Sequence, residues 1–161
     1  MTKVLITAAA SLAMLAAALP AAADEPLVRF EGGIGVHPVS NLAGAANTVQ
    51  GVPPGGLPWA IQKLKANIKQ DGRIAVSGEG LVLAAGNNIG TRGGVLQVFA
   101  TLFCGADAFH SAAADLSVGG NFEIRGTLGA VPPAPCNAPR LLIRNAAVGN
   151  NAWFAAGTLA D

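Results

Sequence analysis

The segment Lys63-Leu64-Lys65-Ala66-Asn67-Ile68-Lys69 alternates polar and apolar residues without a break, the period-2 pattern of a strand with one buried face. After Gln70-Asp71-Gly72 the run Arg73-Ile74-Ala75-Val76-Ser77 continues it. A three-residue loop with Gly72 in the left-handed conformation sets Ile68 opposite Ile74 and Ala66 opposite Val76, so the branched residues share one face. A two-residue Asp-Gly turn sets Ile68 against Ala75 and splits them, so the longer loop is the predicted one. Leu57, Ile61, Leu64 and Ile68 also fit helical spacing, with Pro58 at a helix start. Because the alternation runs on through the turn, strand is predicted for 63–69, which leaves room for a short helix or turn over 57–62.

Further strands are predicted at Leu27–Glu31, Ala46–Val52, Leu81–Ala85, Val95–Cys104, Asp115–Val118, Phe122–Leu128, Arg140–Ala147 and Ala152–Thr158. Val95–Cys104 is apolar on both faces, which marks a central strand covered on both sides. Gly119-Gly120 and Gly149-Asn150-Asn151 read as hairpin turns, since Gly and Asn tolerate positive φ. Segments 32–58, 86–94 and 129–139 are loop-like. Many short strands at roughly 8–12-residue spacing predict an all-β fold, an antiparallel β-sandwich, with a small closed β-barrel as the alternative.

The N-terminal stretch breaks this pattern. Lys3, the apolar run Val4–Leu19, the helix-breaking Pro20 and the small residues Ala21-Ala22-Ala23 have the order of a bacterial-type secretory signal helix, with cleavage before Asp24. The apolar run is shorter than the roughly 20 residues a membrane-spanning helix needs. The expectation is a signal peptide over 1–23, a single all-β domain over 24–161, a secreted or periplasmic location and no membrane span after cleavage.

Composition changes the picture in three ways. The chain has 10 Lys+Arg and 9 Asp+Glu; loss of Lys3 makes the balance neutral, so no electrostatic footprint for nucleic acid is present. Charged residues are only 12% of the chain, about half the usual quarter. Low charge demands close packing, backbone pairing or a partner surface. All 21 Gly follow the signal segment, as expected of a turn-rich β-protein.

The two cysteines, Cys104 and Cys136, predict one disulfide in an oxidising compartment. Candidate chemistry is otherwise sparse. Glu31, His37, Asp107 and His110 could be imagined as a metal set, but no HxH or HExxH spacing joins them. Neither Ser77 nor Ser111 lies in a nucleophile elbow, and Glu31, Glu79, Glu123 and Asp115 are scattered rather than paired. The loop Gly86–Gly94 with Arg92 lacks the ending of a phosphate cradle and reads as a hairpin loop. Of the two tryptophans, Trp153 reads as core and Trp59 as the candidate for exposure, because it follows the loop Gly51-Val52-Pro53-Pro54-Gly55-Gly56-Leu57-Pro58. Loops of this kind on a rigid scaffold carry recognition sites, which makes Pro53, Pro54 and Trp59 the candidate ligand or partner loop. No cofactor is expected. The reading is a non-enzymatic binding module for a protein, an envelope component or a small apolar ligand. The alternatives are a self-associating surface β-protein, whose strand edges pair between copies, and a small enzyme working in a barrel cavity.

Overall fold

In the computed structural model, described for residues 24–39 and 46–161, the hairpin at 63–79 has the predicted register. Strands β3 (Lys63–Lys69) and β4 (Arg73–Glu79) pair antiparallel with Ile68 opposite Ile74 and Ala66 opposite Val76. Gly72 sits at φ 86° and its N–H donates to the Lys69 carbonyl at 3.0 Å. Leu64, Ala66, Ile68, Ile74 and Val76 are buried, and the alternate residues face solvent or the rim.

Nine further strands are described: β1 Pro26–Gly35, β2 Trp59–Ala60, β5 Val82–Leu83, β6 Gln97–Cys104, β7 Asp107–His110, β8 Ala114–Asp115, β9 Phe122–Thr127, β10 Arg140–Asn145 and β11 Trp153–Leu159. The main sheet runs β7-β6-β10-β11-β1-β3-β4-β9, with β8 beside β6, and every strand pair in it is antiparallel. β2 and β5 form a separate two-stranded ribbon. The fold is therefore all-β, as the patterning requires.

The two facing sheets of a sandwich are replaced by one continuous sheet curled into a half-barrel. The cause is local. β1 pairs with β3 through Pro26–Glu31 and with β11 through Phe30 and Gly33–Gly35, and a bulge between Phe30 and Gly33 bends it. Gly32 takes φ 92° there, a conformation that disfavours any residue with a Cβ. A second bulge lies between Ile143 and Arg144, where β10 pairs with β11. The edge strands β7 and β9 are not paired with each other, though just past β9 the Gly129 N–H donates to the His110 carbonyl at 2.8 Å.

The concave interior is filled by side chains. Phe30, Leu64, Ile68, Leu102, Ile124, Leu141 and Ile143 are essentially inaccessible and belong to one apolar cluster. β6 pairs with β10 along one edge and with β7 and β8 along the other. Its residues Ala100–Cys104 are buried on both faces, whereas Leu96, just before it, is 63% exposed. Double-sided burial therefore covers the second half of the predicted central segment.

Cys104, at the end of β6, is bonded to Cys136 across a sequence separation of 32, with Cα atoms 4.9 Å apart. Ala46–Val52 forms isolated bridges, among them a tight one between Val49 and Val52, rather than a strand. Residues 57–62 form no helix: the Trp59 N–H donates to the Val36 carbonyl and seats β2 instead. The predicted export segment lies outside the described residues. Among the described residues no helix is long and apolar enough to cross a membrane.

Candidate ligand pocket

The loop Gly51–Pro58 contains three prolines, which cannot donate to a ladder. It is nevertheless tied down by the groups it keeps. The Pro53 carbonyl accepts from the Trp153 N–H and the Gly55 N–H donates to the Trp153 carbonyl, both at 2.9 Å. The loop thus runs parallel to the start of β11. Val36, just past β1, donates to the Phe154 carbonyl and accepts from the Trp59 N–H, both at 2.8 Å. Together these bonds bring Trp59 onto Phe154, with ring centroids 4.1 Å apart and planes 27° from parallel. Offset stacking of this kind adds to the energy of area burial alone.

Trp59 is 4% exposed and Trp153 7%. Trp153 is core, as expected. Trp59 is not the exposed platform its place after a Pro/Gly loop suggests, because the stack on Phe154 and the β2–β5 ribbon cover it. What it does instead is wall a concavity of about 490 Å³, shared with Pro53, Pro54, Leu57, Val95 and Phe154. The sequence-predicted trio of Pro53, Pro54 and Trp59 is therefore gathered at one pocket. From the sequence Phe154 reads only as part of a strand; its place in the wall follows from the Val36 bonds that align β11 with β2.

Gly55 closes the loop over the stack. A Cβ there would lie 3.0 Å from Phe154 Cδ1 and 3.2 Å from Trp59 Nε1, tighter than ordinary van der Waals contact. Arg92 borders the pocket, but its Nη1 is engaged with the Val95 and Leu116 carbonyls at 3.2 and 3.0 Å. That grip explains the Gly86–Gly94 loop as a clamp between β5 and β6. Asn145, a buried polar residue of the lining, accepts from the Ala147 N–H at 2.9 Å. The lining holds no Asp, Glu, His, Ser, Thr or Cys, so what it offers is apolar surface with a few hydrogen-bonding groups.

The remaining candidates stay apart. No group of three or more His, Cys, Asp or Glu is positioned to hold a metal among the described residues; His37 lies after β1, and His110 on β7 sits 3.0 Å from the Thr101 hydroxyl. Ser111 Oγ accepts from the Ala100 N–H and donates to the Ala112 carbonyl. Glu79 pairs with Lys63 at 2.8 Å, Glu123 pairs with Arg125, and Asp115 accepts from the Gln97 side chain at 2.8 Å. No protein-family profile, curated protein or solved structure matches this chain.

Proposed function

We propose that the protein is an exported, non-enzymatic binding module that takes a small apolar ligand in the pocket walled by Trp59 and Phe154. The observation that carries this reading is the tied-down Pro53–Leu57 loop. Backbone bonds to Trp153 hold it open beside an aromatic stack, where an ordinary surface loop would collapse or face water. Small-ligand sites are concave, mostly apolar and supplied with a few polar groups; here Asn145, Asn150 and Arg92 stand among the apolar lining. The preferred ligand is flat and apolar, matching the stack. The disulfide supports a secreted or periplasmic setting, since such bonds persist in oxidising compartments. A 1-naphthol titration followed by tryptophan fluorescence, in a Trp153→Phe variant that leaves Trp59 as the reporter, tests the proposal. A saturable change is expected, and a linear, non-saturating one refutes it.

A further inference from the structure

Strand β10 is buried at five successive positions, Leu141–Asn145, so both of its faces are covered. Leu141 lies against Phe30 around Gly157 on the concave side. The other face carries Leu142 and Arg144, with Thr101 and Phe99 opposite them on β6 and His110 beyond Thr101 on β7. Arg144, 9% exposed, is the one charged residue that is buried among the described residues.

Its guanidinium is fixed from three sides. Nε donates to the Asn151 carbonyl at 2.9 Å, Nη1 to Thr101 Oγ1 at 3.3 Å, and the central carbon lies 5.1 Å from the centroid of the Phe99 ring. None of these partners is an anion. The ion pairs of the described residues join Lys63, Arg73 and Arg125 to carboxylates instead. Asp115, the acid in the neighbouring row of this face, is engaged by Gln97. A buried charge is ordinarily paired, because desolvation is otherwise uncompensated. Trp153, opposite Arg144 in register, adds a buried indole N–H with no acceptor.

His110 completes the arrangement. Its ring is edge-on to Phe99, with centroids 5.9 Å apart. Thr101 Oγ1 accepts from Arg144 Nη1 and still has both a hydrogen and a second lone pair for Nδ1; Nε2 carries a hydrogen in the tautomer where the hydroxyl donates, and in the imidazolium. His110 is exposed as a residue while its ring is partly desolvated, and Nε2 and the second terminal nitrogen of Arg144 make no described bond on this face. Burial and the Arg144 charge both hold the imidazole below its ordinary range, a repulsion that a bound anion would relieve.

We propose that Arg144 and His110 form a binding site for a small oxyanion, with the guanidinium supplying the charge and the imidazole a second donor. A fork of N–H groups held by Asn151 and Thr101 suits the planar or tetrahedral oxygens of a carboxylate or a phosphate. The site is separate from the aromatic pocket and does not rest on it.

The two histidines of the chain give the test an internal control. Inorganic phosphate, and in a second arm acetate, is added at constant ionic strength while the imidazole signals of His110 and His37 are followed by NMR. The His110 signals are expected to move saturably while those of His37 stay, and Arg144→Gln is expected to weaken the effect at least about tenfold. Response to phosphate alone identifies a phosphate-class site, and response to both probes a general oxyanion site. Should the variant fail to fold, the Arg144 Nε–H signal of the unaltered protein decides, because it must move at the same concentration as His110. Absence of saturation in both arms, or a His110 response without one at Arg144, overturns the proposal.

Discussion

Replacing both cysteines with alanine removes the only covalent tie between the end of β6 and the 129–139 segment. With a sequence separation of 32, the chain-entropy relation gives a loss of ~3.7 kcal/mol at 25 °C. Truncating the buried Cys104 side chain (5% exposed) adds about 1 kcal/mol of lost burial. The Cys104→Ala/Cys136→Ala variant should therefore be about 4–5 kcal/mol less stable, a fall in melting temperature of about 10–15 °C. Equilibrium urea unfolding of the oxidised protein and the variant measures this directly. Because the crosslink acts largely on the unfolded ensemble, the variant's denaturant slope should also rise, as its unfolded chain exposes more surface. A stability difference below about 1 kcal/mol would refute the reasoning. It would mean that non-covalent contacts, such as the 2.6 Å bond from the Gly105 N–H to the Asn137 carbonyl, hold the segment unaided.

Ile68→Ala, at a position with no exposure in the interior of the curl, should cost about 2–5 kcal/mol by the same urea assay. Lys65→Ala, on the exposed side of the same strand, should stay within about 0.5 kcal/mol. Gly55→Val should cost about 1–3 kcal/mol by overpacking and abolish naphthol binding in the still-folded variant, because its side chain enters the space beside Phe154 and Trp59; retained binding contradicts the pocket assignment. His110 titrates below its unfolded value of about 6.5 for reasons of burial and then the Arg144 charge. On acidification the unfolded chain takes up that proton first, so stability falls as the pH drops from about 6.5 through the folded value. His110→Gln should flatten that part of a stability-against-pH curve, and an unchanged slope counts against the assignment.

Local features of the fold were legible where one short-range rule decided them. The β3–β4 register followed from Gly72 and the alternation on either side, with no distant contact needed. The Cys104–Cys136 pairing followed from there being two cysteines in a chain that reads as exported. The curl was not legible, because it depends on β1 pairing with β11 across most of the chain and on a bulge at Gly32 that reads in the sequence only as a pair of glycines. Short β7 went unnoticed: Asp107–His110 has too few residues for a period to show, and its pairing with β6 makes it a strand. Trp59 was placed in the right neighbourhood for a partly wrong reason. The Pro/Gly loop does border a concavity, but exposure of the indole depends on Phe154, which lies 95 positions away by number. Arg144 looked like any strand arginine, since burial of a charge is a property of the neighbouring strands rather than of its own residue.

If the Trp59–Phe154 concavity is where a ligand binds, intermolecular nuclear Overhauser contacts between bound 1-naphthol and the protein locate it. Contacts are expected from the naphthol ring to the Phe154 ring protons, the Trp59 indole and the Pro53–Leu57 loop. Contacts confined to other surfaces, such as the charged face around Asn67, would contradict that placement.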